Sequence, residues 1–309
     1  MNEEIAIIFN PGAGKGKATK EREKLEGLLK NYGISYNLFE SKNLEHIREL
    51  VKEKSKNHKI IVGAGGDSTF QIIVDEIIRS DLNNIFGLIA LGSSNDIAKE
   101  FNLDTLEKAC LALKRMRIKK IDVGYVKEGS EIISFFIGQA NIGLGVFVNK
   151  YVEKFTRKSP FLGKRQILAG TLGVINSYLS KKIPVSLSIK ADDRETYGHF
   201  LLVVFSNIKY WATGKKINPY ALVDDSKLDC CLIKYCDFPR LIQITVSAKK
   251  GEHIKTKEVS IIQSSSFKVS SEIPFEIQVD GEILGGYERP LKFKEISISV
   301  FPKILPLIC

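Results

Sequence analysis

The chain has 309 residues, 44% of them apolar, enough to bury a large core and to divide into two domains. Its 46 basic and 36 acidic residues leave a formal net charge of +10, which suits a negatively charged partner: nucleic acid, an anionic membrane surface or nucleotide phosphates. No apolar run approaches the roughly 18 to 20 residues that span a bilayer; the most apolar long segment, Ile167 to Leu179, is broken by glycines, Asn176 and Ser177. The start Met1-Asn2-Glu3-Glu4 lacks the basic and apolar stretches of a secretory signal, so a cytoplasmic location is expected. Cys110, Cys230, Cys231, Cys236 and Cys309 form no C-x-x-C pair, and His46, His58, His199 and His253 are scattered, which argues against a zinc or disulfide framework. No helix-turn-helix, finger or aromatic ribonucleoprotein signature supports a nucleic-acid partner.

The apolar run Ile5 to Phe9 reads as a strand, and it feeds Asn10-Pro11-Gly12-Ala13-Gly14-Lys15-Gly16-Lys17. This turn is not a Walker loop, because Ala18 follows the lysine, and not a dinucleotide fingerprint, because Lys17 stands where the third glycine belongs. Lys20 to Tyr32 then places Leu25, Leu28, Leu29 and Tyr32 on one helical face. A second strand, Ile60 to Val62, runs into Gly63-Ala64-Gly65-Gly66-Asp67-Ser68-Thr69 and a helix from Phe70 to Arg79. Glycines let the backbone approach a phosphate closely, and amides at a helix N-terminus point at the anion. Asp67 would repel bare phosphate, so it suggests a nucleotide carried with a divalent cation. Serving ligand rather than core, Asp67 is expected to matter little to fold stability. Phe86 to Leu91 forms a further strand, followed by Leu91-Gly92-Ser93-Ser94-Asn95-Asp96, and Asp104-Thr105-Leu106-Glu107 reads as a capping box. Alternating strands and helices imply a parallel sheet with ligands beyond the carboxyl ends of its strands. The three glycine-rich turns fall there, and together they describe a nucleotide cleft.

The texture changes near residue 125, dividing an α/β domain at 1–124 from a domain at 125–309 whose last strand is able to return to the first. Ile132 to Phe136, Val185 to Ile189, Phe200 to Phe205, Leu228 to Ile233, Val259 to Ile262, Phe275 to Val279 and Ile296 to Phe301 read as short strands. Repeated strands of this kind suggest an antiparallel β-sandwich, interrupted by one helical stretch around Leu162 to Leu179. By themselves Asp224 to Asp229 would be a solvated acidic turn, and Asp280-Gly281-Glu282 a hairpin turn.

In this order, NPGAGKGK from Asn10, GGDST from Gly65, LGSSNDIAKEF from Leu91, ANIGLG around Gly143, the stretch from Asn207 to Asn218, Asp224 to Asp229 and Gln278-Val279-Asp280-Gly281-Glu282 resemble the motifs of the diacylglycerol kinase catalytic-domain family. That family includes bacterial soluble lipid kinases and sphingosine kinases, and the resemblance covers nearly the whole chain. It implies an α/β nucleotide-binding domain of the NAD-kinase and phosphofructokinase-like type joined to a β-sandwich, with a cleft between them. It further implies ATP and Mg2+ as cofactors and transfer of the γ-phosphate to a lipid hydroxyl, diacylglycerol or a related lipid alcohol. Carried over by position, the nucleotide lies against Asn10, Pro11, Gly12, Ala13 and Gly14, near Ser41, on Gly65, Gly66, Asp67, Ser68, Thr69, Phe70 and Gln71, and against Ser93. A structural magnesium site corresponds to the Asp225 carboxylate and the backbone oxygens of Leu222 and Lys227, and Glu282 matches the catalytic base.

The chain departs from that pattern at several positions. Ser68 replaces the usual glycine after the aspartate, Ser93 a threonine, Ser226 the glycine of the acidic turn, and Ala212-Thr213-Gly214 a more glycine-rich run. The function expected is therefore a lipid kinase. The alternatives are a non-catalytic nucleotide or lipid sensor on the same fold, and a kinase of a soluble substrate such as NAD. The expected partners are a lipid presented at a membrane surface and anionic headgroups met by Lys154, Arg157, Lys158, Lys164 and Arg165. Contact with the membrane is expected to be transient, no nucleic acid is expected, and a homodimer is left open.

Overall fold

The computed structural model describes residues 5–158, 166–179 and 183–309. The first half alternates as its hydrophobic runs require: β1 (Ile5–Phe9), α1 (Lys17–Asn31), β2 (Tyr36–Glu40), α2 (Leu44–Lys54), β3 (Ile60–Gly65), α3 (Asp67–Arg79), β4 (Ile85–Ala90), α4 (Asp96–Glu100) and α5 (Leu106–Arg115). β1, β3 and β4 are buried along their whole length, the pattern of parallel strands covered by helices on both faces. They pair in parallel in the order β2-β1-β3-β4, with Ile5 opposite both Tyr36 and Ile60, and Ile60 opposite Ile85. Leu25 and Leu29 of α1 are fully buried, with Leu28 and Tyr32 packed against the same core. The cap of α5 is Thr105, whose hydroxyl accepts the Lys108 amide, while Glu107 turns outward to Lys24. The helix is therefore capped one residue later than the expected Asp104 to Glu107 box, by Thr105 alone.

The second half continues with β5 (Ile118–Glu128), β6 (Glu131–Phe136), β7 (Gln139–Gly143), α6 (Leu144–Lys158), α7 (Gln166–Leu179), β8 (Val185–Ala191), β9 (Arg194–Ser206), β10 (Tyr210–Trp211), β11 (Lys215–Lys216), β12 (Leu228–Lys234), α8 (Phe238–Ser247), β13 (Val259–Ser264), β14 (Ser266–Phe275), β15 (Ile277–Val279), β16 (Glu282–Ile283) and β17 (Phe293–Ile308). Apart from β17's parallel contact with β4, the strand pairings from β5 onward are antiparallel. Phe136, Phe205, Phe267 and Phe293 fill the interior of a β-sandwich-like domain. The opposite face of β9 and β12 packs under the helices through Leu201, Val204 and Ile233, with Leu241 and Ile244 of α8. Helix α6 and helix α8 were not expected from the sequence.

β17 joins the two halves. It pairs antiparallel with β14 and β5, and near its end Leu307 lies parallel to Phe86 of β4. The register shifts between Phe301 and Leu305, and there the Lys303 amide donates to Asp122 Oδ1 at 2.7 Å. The other Asp122 oxygen accepts the Ser226 amide at 2.6 Å, so one fully buried carboxylate ties the crossing strand to the acidic turn.

Candidate active site

Three turns meet at the carboxyl ends of β1, β3 and β4. Asn10 organises the first: its Nδ2 donates to Thr69 Oγ1 at 2.9 Å and its Oδ1 accepts the Gly12 amide at 3.0 Å. Leu91 and Gly92 donate their amides to the Gly65 carbonyl at 2.7 and 3.1 Å. Two glycines permit this packing. Gly14 has φ +60° and a Cβ there would come 2.5 Å from the Leu91 carbonyl, while a Cβ on Gly92 would come 2.6 Å from Gly66 Cα. The turns that looked separate in the sequence are one interlocked cluster. Helix α3 opens from Gly66 with no side-chain cap on its N-terminus, which leaves an anion-receptive helix end facing this cluster.

The sequence-selected residues differ in what they offer a ligand. Gly12 and Ser93 are exposed, Pro11 and Gly14 half-buried, and Ala13 buried. Ser41 is buried beside β1, its amide and hydroxyl both donating to the Phe9 carbonyl. Phe70 packs edge-on against Phe86 in the core, and Gln71 Nε2 donates to Ser134 Oγ and the Phe135 carbonyl. The side chains of Phe70 and Gln71 are thus committed to packing.

Asp67 carries a structural task that the sequence did not reveal. Its carboxylate accepts the Asp96 and Ile97 amides, both at 3.1 Å, and so caps α4 from the neighbouring turn. Burial, aided by the charge of Asp96, raises its pKa to about 6. The expectation that Asp67 is irrelevant to stability is corrected on this ground. Asp96 in turn accepts the Thr213 amide at 3.0 Å, where Ala212, Thr213 and Gly214 have φ of 45°, 70° and 92°. This run is left-handed backbone, a conformation that costs Thr213 about 1 to 2 kcal/mol. Lys99 and Lys215 flank this loop, and burial lowers the pKa of Lys215.

Across the cleft, Asp280 and Gly281 form the two-residue turn between β15 and β16, both with positive φ, as a tight hairpin requires. The hairpin reading of this motif is the one the backbone shows. The buried Asp280 carboxylate accepts the amides of Ile137, Gly138 and Gln139, and burial pushes its pKa to about 7 against those donors. So anchored, the turn leads into Glu282, half-buried at the start of β16. Burial raises the pKa of Glu282 as well, and Glu153 adds to the rise.

Asp67, Asp229 and Asp280, with pKa values of about 6, 6 and 7, bind more protons folded than unfolded between about pH 4 and 7. The stability they contribute is present at the acid end of that window and falls as pH rises through it. Thermal unfolding without divalent cations should show a higher Tm at pH 5 than at pH 7.5; a Tm that climbs steadily over that interval would contradict these assignments.

The acidic turn stands apart from this cleft. Asp225 accepts the Lys227 amide at 3.1 Å and Gln263 Nε2 at 3.2 Å, Asp224 pairs with Lys119, and Ser226 holds φ +65°, where a glycine would be unstrained. Burial and the nearby Asp225 charge raise Asp229 to about 6, a crowding of carboxylates that a cation would relieve. One carboxylate with backbone oxygens and water is a donor set of the kind hard Mg2+ takes, and among the described residues no group of three acidic, His or Cys side chains gathers around a metal position. Magnesium should accordingly raise the Tm of the wild type and leave Asp225→Ala unmoved; identical melting with and without magnesium in the wild type would remove the site.

Comparison with known proteins matches residues 4–126 to the diacylglycerol kinase catalytic domain and residues 138–309 to the YegS C-terminal NAD kinase beta sandwich-like domain. A diacylglycerol kinase of Staphylococcus saprophyticus is 23% identical over 92% of this chain and 90% of its own length. One of Staphylococcus carnosus is 23% identical over 96% and 94%. Among solved structures, a diacylglycerol kinase from Bacillus anthracis superposes with a TM-score of 0.70 at 16% identity, covering 99% of this chain and 96% of that one, which establishes a shared fold.

Proposed function

We propose that this chain, which belongs to the diacylglycerol kinase catalytic-domain family, transfers the γ-phosphate of ATP to the hydroxyl of a lipid alcohol such as diacylglycerol. The observation that carries this reading is the interlocking of three glycine-rich turns at the strand ends, with Asn10 on Thr69 and the Leu91 and Gly92 amides on the Gly65 carbonyl, beside the uncapped N-terminus of α3. Phosphoryl transfer asks mainly for positioning, charge neutralisation and one group near the attacking hydroxyl. In this scheme the uncapped N-terminus of α3 and the turns at Asn10 to Gly14 and at Ser93 bind the donor phosphates. Magnesium bound with the nucleotide supplies neutralising charge. Glu282 takes the proton from the lipid hydroxyl as it attacks, and Asp67 keeps α4 and the third turn against the second.

The test is thin-layer analysis of γ-labelled ATP incubated with a lipid extract, a diacylglycerol panel and NAD. Label in a lipid phosphate is the expected result. Label in NADP, or nucleotide binding with no product, would replace the proposal by the soluble-substrate kinase or the sensor.

The acceptor lies in a bilayer, whereas among the described residues no helix is long and apolar enough to cross one. Peripheral docking on anionic headgroups is therefore part of the proposal. Lys154 is exposed on α6; the side chains of Arg157 and Lys158, and Lys164 and Arg165 altogether, lie outside the described residues. Each participating lysine or arginine is worth about 1 kcal/mol at such a surface and is screened by salt. Co-sedimentation with anionic vesicles should fall as salt rises, and binding indifferent to both salt and anionic lipid would contradict docking.

A further inference from the structure

We infer that a groove beside Glu282, between α2, α3 and β16, receives the polar head of the acceptor, and that Arg48 selects heads bearing a carbonyl oxygen. The occupant is an uncharged head with one free hydroxyl and neighbouring ester groups. The inference rests on the lipid-kinase reading and deepens it by naming the residue that chooses the acceptor.

The groove encloses about 360 Å³, and Glu282 shares its lining with Glu45 and Arg48 of α2 and with Gln71, Asp75 and Arg79 of α3. The last three recur at every fourth position, so they form one face of the helix that opens at the phosphate turn. Their hydrogen bonds build a fixed floor. Buried Asp75 accepts Arg48 Nη1 at 2.6 Å, Arg79 Nε at 3.0 Å and the Phe135 amide at 3.0 Å. Gln71 donates to Ser134 Oγ and the Phe135 carbonyl, and Arg79 Nη1 and Nη2 donate to the Ile132 and Ile133 carbonyls. Arg79 has thus spent all three nitrogens. Arg48 has not: beyond Nη1, which also lies 3.7 Å from Glu76, its Nε and Nη2 donate to nothing among the described residues.

Guanidinium donors left over on a lining side chain call for an acceptor oxygen. The charges of the groove say which kind. Asp75 and Glu76 offset Arg48 and Arg79, so Glu45 and Glu282 leave the lining acidic, a poor host for an anionic head such as a lipid phosphate. An ammonium head suits those two carboxylates but sets a second cation against Arg48 and leaves its donors unused. An ester carbonyl satisfies the donors without adding charge. The remaining walls are apolar, from Ile72 of α3, Ile133 of β6, and Ile283 and Leu284 just past Glu282, with Leu44 of α2 42% exposed. They suit the first methylenes of two acyl chains, and the free hydroxyl of such a head is then left for Glu282.

The experiment offers purified protein, with γ-labelled ATP and magnesium, a diacylglycerol and its dialkyl ether analogue, which keeps the hydroxyl and both chains but has no carbonyl. Both are presented in neutral detergent micelles at equal mole fraction, which removes anionic docking from the comparison. The wild type should favour the diester by at least about tenfold in kcat/KM, the size of a lost hydrogen bond to a charged donor. Arg48→Met, which ends the donation, should bring the two acceptors within about twofold of each other. A merely structural role for Arg48 would lower both rates together and leave their ratio unchanged. Arg48→Lys keeps a cation on Asp75 but loses the planar fork, so it should fold as the wild type does and lose most of the preference; where Arg48→Met fails to fold, this variant decides. A wild-type ratio near one, or a ratio unchanged in the variants, overturns the inference and leaves the lipid kinase standing. No labelled lipid from either acceptor would instead remove the reading beneath it.

Discussion

Glu282→Gln is expected to lower kcat by about 10² to 10⁴ while leaving nucleotide affinity at its wild-type value, the effect of removing a general base from a site whose binding groups lie elsewhere. Glutamine is nearly isosteric, so the hairpin anchored by Asp280 should fold as before. Because the pKa of Glu282 is raised above the ordinary glutamate range, wild-type activity should fall as the pH drops through that raised value. Calorimetric titration with nucleotide and a transfer assay on the same preparation check both halves. Wild-type turnover in the variant would overturn the role of Glu282.

Asp67→Asn should reduce transfer to less than about a tenth of wild type, a loss exceeding ~1.4 kcal/mol of transition-state stabilisation. It should also destabilise the fold. The carboxylate accepts two backbone amides at the start of α4, and an amide group can accept only one of them while turning an N–H toward the other. Leaving a donor of this kind unsatisfied costs about 1 to 3 kcal/mol. Denaturant unfolding in parallel with the assay checks the pairing. Retained activity with a lowered stability would leave Asp67 a purely structural carboxylate.

The α/β half was legible because its signals are local. β1, β3 and β4 are unbroken apolar runs, and the turns after them carry glycines where φ is positive or backbones meet. Helix α6 was missed because Val146, Val148 and Val152 favour strands by local preference, and packing against β9 and α7 overrides that preference. Helix α8 is rich in β-branched residues from Ile242 to Val246, yet its start signal was present: Asp237 accepts the Arg240 amide and Pro239 stands in the first turn. In the site, motif residues could be selected singly, but not what each touches. Asp280 looked like a turn residue and is also a buried anchor, and Asp67 looked like a ligand group and also caps α4. Such pairings depend on the Asp280 turn meeting the chain from Ile137 to Gln139, and on α3 meeting α4, long-range events that no local spacing records.

The most direct test is an acceptor competition with γ-labelled ATP and magnesium, offering purified protein both diacylglycerol in vesicles and free NAD and separating the organic and aqueous phases. A lipid kinase built around the α3 turn and Glu282 puts label into the organic phase as a lipid phosphate, and Glu282→Gln abolishes it. Label confined to the aqueous phase, or none transferred by a protein that binds nucleotide, would contradict the assignment.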